Sequence, residues 1–166
     1  CMEVVYKNKN VYADISGLVL GDFTDKFERY MKKEIEEIGD IERLVSLFYD
    51  KVNQDDLLSV VFNVHAKTNW ESHLPKMVRF WSGILLDTSD YRGRPFEAHA
   101  KQSEHITSEH FKRWIALFRE TISENFEGEK AALAIQRAES IGDIFQYKLD
   151  FMRLNKQAAD TSLDKL

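Results

Sequence analysis

Cysteine is all but missing from this chain. Its single copy, Cys1, stands ahead of Met2, so there is neither a disulfide framework nor a cysteine-based zinc site, and it is assigned no role. Proline and glycine are also scarce, two and seven residues, so little interrupts long helices. The net charge is only −5 and the positive residues are scattered. Without a clustered basic face, nucleic acid is not an expected partner. No apolar run reaches the length of a bilayer span, and no basic segment followed by an apolar one marks a signal peptide. The expectation is a cytoplasmic protein with no membrane partner.

Several catalytic signatures are missing as well. The five histidines, His65, His73, His99, His105 and His110, contain no i, i+4 pair. Neither His-Glu-x-x-His nor the Glu-x-x-His of di-iron bundles occurs, which disfavours a mononuclear zinc or di-iron enzyme. There is no Gly-x-Ser-x-Gly nucleophile turn and no glycine-rich phosphate loop.

What the chain has is aromatic mass: 11 Phe, 6 Tyr and 3 Trp in 166 residues. A chain of this length is expected to form one domain with a substantial core. The opening reads as a small hairpin, Glu3–Tyr6 and Val11–Ala13 flanking Lys7–Asn10, while Ser16 to Phe23 is ambiguous. From Thr24, Phe27, Tyr30, Met31, Ile35 and Ile38 keep helical spacing up to Gly39. Asp40 is then expected to start a second helix with Ile41, Leu44, Val45, Phe48 and Val52 on one face and Tyr49 at its edge. Leu57–Phe62 is too short for an ordinary helix and suggests a turn or two of irregular helix.

Thr68 and Glu71 have capping-box spacing, although Pro75 would let the regular part begin nearer Ser72. Leu74, Met77, Val78, Trp81, Ile84 and Leu85 form the face of that helix, with His73 beside it. Thr107 caps the clearest helix, with Ile106 and Phe111 placed for a hydrophobic staple and Phe111, Trp114, Ile115, Phe118 and Ile122 as its stripe. Gly128 ends it, and a last helix carries Ala131 through Met152. Asn155–Leu166 reads as a polar, frayed tail. The expected architecture is all-α.

Between Leu86 and Thr107 some twenty residues interrupt this pattern. Such a gap inside a compact helical protein often carries function. It holds Tyr91-Arg-Gly-Arg-Pro-Phe-Glu-Ala-His99. A histidine between apolar helices suits a haem, which needs one imidazole on the iron and an apolar slot for the macrocycle. A hydrogen-bonded turn histidine fits the same residues. Trp114 and Tyr49 pose a related question, because a buried N–H or hydroxyl needs an acceptor. A backbone carbonyl could serve each, and so could a bound ligand carrying negative charge.

Several stretches together resemble a known family. They are Leu47-Phe-Tyr-Asp-Lys-Val52, His73-Leu-Pro-Lys-Met77 with Phe80-Trp81, Tyr91-Arg-Gly-Arg-Pro95, His99, and Thr107-x-x-His-Phe-x-Arg-Trp114. In this order, from about Ile41 to Met152, they resemble the group III truncated haemoglobins, bacterial globins with a two-over-two helical sandwich. The absence of any Gly-Gly pair agrees with that group. The resemblance implies haem b as cofactor, with His99 as proximal iron ligand. It implies Tyr49 and Trp114 as distal donors and His73 as a distal residue gating ligand entry. Phe48, Phe62, Phe80, Trp81, Leu85 and Phe118 would wall the slot, and Lys76, Arg79 and Arg92 are candidates for the propionates.

The implied function is binding of dioxygen, and of other diatomic gases such as nitric oxide or carbon monoxide, with an unidentified reductase as partner. Oxygen transport is one expected association, yet two or three donors would make a tight oxygen binder poorly suited to delivery, which favours chemistry at the iron, or sensing, over transport. An alternative is a haem enzyme acting on nitric oxide, peroxide or sulfur species at the same site. A helical interaction module without haem is a third. The expected organisation is an extension over 1–23, a truncated globin domain over 24–154 and a tail over 155–166.

Overall fold

The computed structural model describes residues 3–5, 12–14, 32–88 and 91–163. The chain divides into two compact units, Cys1–Lys33 and Glu34–Leu166. In the first, Glu3–Val5 (β1) pairs antiparallel with Tyr12–Asp14 (β2), Glu3 opposite Asp14 and Val5 opposite Tyr12. The hairpin expected from the sequence is present. Its connection at Lys7–Asn10, the ambiguous Ser16–Phe23 and the helix expected from Thr24 through Met31 lie outside the described residues.

No helix reaches Ile38 from the N-terminal side, contrary to expectation; one begins there. Lys33–Glu34 (β3) is extended and pairs with Phe126–Glu127 (β4), and α1 spans Ile38–Gln54. Asp40 explains the difference. Its Oδ2 accepts from the backbone N–H groups of Glu36 and Glu37 at 2.9 and 3.1 Å. It is therefore the third helical residue reaching back to Glu37, the actual N-cap, and not the cap itself. Gly39 falls in the first turn of this helix and does not end the previous one. From there α1 buries Ile41, Leu44, Val45, Phe48, Tyr49 and Val52 as its spacing requires.

Asp55 Oδ1 accepts from Leu57 and Leu58, turning the chain into the irregular segment, which is a π-helix over Val60–His65. Such turns are uncommon and concentrate at functional sites. The next helix, α2, spans Trp70–Leu85. Its cap is Asn69, whose side chain accepts from the Ser72 N–H at 3.2 Å, so the box expected at Thr68 and Glu71 is not the one used. Pro75 lies within α2 and removes one rung of its hydrogen-bond ladder.

In the expected gap the only described helix is short, α3 over Pro95–Ala100, with Pro95 in its first turn where a missing N–H costs nothing. The next, α4, spans Ser108–Asn125 and starts at Thr107 with a capping box closed by His110, Thr107 N–H donating to His110 Nδ1 at 3.1 Å. Ile106 and Phe111, the expected staple, share one buried cluster. Helix α4 ends at Asn125, earlier than Gly128. That glycine, at φ +88°, turns the chain from β4 into α5, Glu129–Leu163. The tail expected to fray from Asn155 is helical instead as far as Leu163, the last described residue. Arg153 donates to the carbonyls of Ser103 and Ile106, and Lys156 pairs with Glu104 at 2.8 Å, tying this end of α5 to the segment before α4.

Helix α1 packs on α2 and α4, and α5 packs on α4, α2 and α3. A Cβ at Gly142 would meet Ile115 Cδ1 at 2.8 Å, so Ile115 of α4 packs over the bare backbone of α5 there. The apolar interior is divided. One cluster gathers α1, α2 and α4 around Phe48, Tyr49, Trp81 and Phe118. The other holds Val61, Ile106, Phe111, Phe145 and Leu149, with Phe96 and Ile141 against it.

Candidate functional site

The first cluster is an aromatic net. Phe48 meets Tyr49, Trp114 and Phe118 edge-on, with ring centroids 4.9, 5.3 and 5.1 Å away. Trp114 and Trp81 each stack on Phe118, at 5.5 and 4.7 Å. Tyr49 faces the edge of His73 at 5.1 Å, and Phe62 and Trp70 close over both. Trp70 is held by its indole N–H, which donates to Asn63 Oδ1 at 2.9 Å, and Asn63 in turn donates to Asn53. The π-helix is thereby tied to both α1 and α2.

Within this net, polar groups stand without partners. His73 Nε2 is buried with no hydrogen bond. The hydroxyl of Tyr49 and the indole N–H of Trp114 make none among the described residues. Of these three, His73 Nε2 is fully buried, and a buried polar atom without a partner costs roughly 1–3 kcal/mol, which a folded protein rarely accepts without return. Burial pushes the Tyr49 hydroxyl well above its ordinary range, so it keeps its proton and remains a donor. Burial first, then the charges of Lys76 and His99, lower His73 to about 4, so its ring is neutral near pH 7. Ser82 Oγ and Thr88 Oγ1, also buried without partners, lie in the last turn of α2 and just beyond it.

His99 belongs to the second cluster. Its ring meets Phe145 at 4.8 Å and Phe111 at 6.5 Å, and Phe96 packs on Phe145 at 5.4 Å. Nδ1 lies 2.8 Å from the Pro95 carbonyl oxygen. A carbonyl can only accept, so Nδ1 carries the proton and Nε2 keeps its lone pair. Burial lowers the ring's pKa, against the opposing pull of that hydrogen bond, and this too favours the neutral form. A neutral imidazole fixed through Nδ1–H to a carbonyl is the form that ligates a metal through Nε2.

An open cavity of about 410 Å³ is lined by Phe80 and Ile84 on one side and Pro95, Ile141 and Phe145 on the other, with Gly83 and Arg137; His99, Tyr49, His73 and Trp114 do not line it. Tyr91 packs edge-on against Phe80 at 5.2 Å. These residues fit a haem. There is one imidazole fixed to ligate through Nε2, an apolar aromatic cluster on each side of the molecule's interior, and polar groups left without partners in the cluster that does not hold His99.

The expected residues divide accordingly. Phe48, Tyr49, Phe62, His73, Trp81, Leu85, Trp114 and Phe118 come together in the first cluster or against it. Phe80 alone of the expected wall also lines the cavity. Lys76, Arg79 and Arg92 are exposed, with no carboxylate partner among the described residues. Of the remaining histidines, His65 and His105 stack on each other at 3.7 Å and His110 caps α4. Phe96, Phe111 and Phe145 as the rings around His99, and Arg137 at the cavity, are not among the residues expected from the sequence. The signal was there on α5, where Arg137, Ile141 and Phe145 recur every four residues on one face.

Residues 35–143 match the family model described as bacterial-like globin. The chain is 34% identical over 122 residues to the group 3 truncated haemoglobin of Campylobacter jejuni, covering 72% of this chain and 95% of that protein. The crystal structure of the group III truncated haemoglobin from Campylobacter jejuni superimposes with a TM-score of 0.63 at 33% identity, over the same shares of each chain. The chain therefore belongs to the bacterial-like globins, as a truncated haemoglobin of group III.

Proposed function

We propose that this haem-binding globin uses His99 as its iron ligand and holds dioxygen tightly with Tyr49, Trp114 and His73. The haem, when bound, supplies an iron whose open position takes a diatomic gas and polarises it. Every other element comes from this chain. The Pro95 carbonyl fixes the His99 tautomer and aims Nε2. The two aromatic clusters exclude water and so strengthen every hydrogen bond between them. Tyr49 and Trp114 present N–H and O–H donors to a ligand that carries negative charge, and neutral His73 offers Nε2 beside them.

The observation that carries this is the unpartnered set itself: a buried imidazole nitrogen, a buried phenol and an indole gathered in one apolar net. A hydrogen bond to a charged acceptor contributes roughly 1.5–3 kcal/mol, so Tyr49→Phe should speed dioxygen release about 10- to 100-fold. Stopped-flow displacement of dioxygen by carbon monoxide measures that rate. An off-rate unchanged in both Tyr49→Phe and Trp114→Phe would show that these groups do not face the ligand. Haem b is the resident porphyrin that the family resemblance implies, and the lack of a cysteine near His99 is consistent with a haem held without thioether links. Extraction of the haem into acidified butanone tests that point.

A further inference from the structure

Beyond Gly142, α5 is apolar on two faces. The inner face carries Ala131, Ala134, Ala138, Gly142, Phe145 and Leu149 into the core. About half a turn around the helix lie Ile144, Tyr147, Phe151 and Leu154, which are 51%, 72%, 55% and 64% exposed. Their spacing is three, four, three, the a and d pattern of a two-stranded coiled coil. Single exposed hydrophobic residues need no explanation, but a continuous stripe of four, two of them aromatic, does.

We propose that this seam docks a second copy of the chain as a parallel, two-fold coiled coil of α5 on α5. The flanking charges choose both partner and direction. Asp143 occupies the g position before Ile144, and Lys148 the e position after Tyr147; both are exposed. In a parallel pair each g residue faces the partner's e residue five positions on. Asp143 then meets Lys148 of the other copy, twice by symmetry, and Asp150 meets Asn155. An antiparallel pair would instead bring Asp150 near its own mate and Lys148 near its own. Because the seam points away from the inner face, two globin units can flank it without competing for it. Lys148 Nζ lies 5.0 Å over the Phe96 ring of its own chain, and pairing across the seam exchanges that contact for the partner's Asp143 carboxylate. The four side chains offer on the order of 500 Å² per copy, near the lower limit for a specific interface, so the dimer is weak and depends on concentration.

Sedimentation velocity of the full-length holoprotein, from micromolar to millimolar concentration, tests this. A monomer–dimer equilibrium is expected, lost in Phe151→Glu while circular dichroism stays unchanged. Asp143→Lys alone should weaken the dimer about 10-fold, and Asp143→Lys with Lys148→Asp should restore it. A monomer at every concentration overturns the proposal. So does association that survives Phe151→Glu, or association that the double reversal fails to rescue.

Discussion

His73 stays neutral at a pH where an exposed imidazole would begin to charge, and that neutrality has a stability consequence. Its folded-state pKa, about 4, lies below the ordinary 6.5, so protons bind the unfolded chain more readily than the folded one. The stability that comes from keeping the ring uncharged is therefore complete above pH 6.5. It is lost as pH falls from there toward about 4. His99 and His110 are shifted in the same direction, so the wild type alone cannot isolate the effect. Urea denaturation of the apoprotein at pH 7.5 and 5 should show a smaller acid loss in His73→Phe than in the wild type, and equal losses would place the ring in water. Individual roles at this scale were partly legible. Tyr49 and Trp114 could be singled out because each is a polar-tipped aromatic on an apolar face. That His73 Nε2 has no partner required coordinates, since its neighbours Tyr49, Phe62 and Trp70 come from three separate elements.

Helix ends show where sequence patterns are degenerate. Thr107 was legible as a cap because Ile106 and Phe111 flank it as a staple. Asp40 was not, because an aspartate at the start of an apolar run looks alike as N-cap and as third residue. Only the bonds from Glu36 and Glu37 decide it. Asp40 is 4% exposed and its carboxylate accepts from two backbone N–H groups, so removing it leaves both without that acceptor. Asp40→Ala should cost roughly 1–2 kcal/mol of unfolding free energy, read as a lower denaturant midpoint at unchanged slope. A midpoint within error of the wild type would mean that Glu37 caps α1 alone. The end of α5 was misjudged for a different reason. Its polar composition is silent on helicity when Arg153 and Lys156 are fixed by partners some fifty residues earlier, at Ser103 and Glu104.

At the scale of the molecule, helical periodicity sufficed for an all-α fold and for the face each helix buries. It did not reveal that the interior is split in two. Phe111 and Phe145 lie on α4 and α5, among stripes that read as ordinary core, yet they surround His99 and leave Trp114 to the other side. That split puts one imidazole in one cluster and unpartnered polar groups in the other, the two sides a haem requires. Titrating haem into the apoprotein while recording the Soret band tests it most directly. The wild type should saturate at one haem per chain with a sharp band, and His99→Ala should lose the tightly held fraction. A chain that develops no Soret band, or an His99→Ala variant that retains haem as the wild type does, would contradict it.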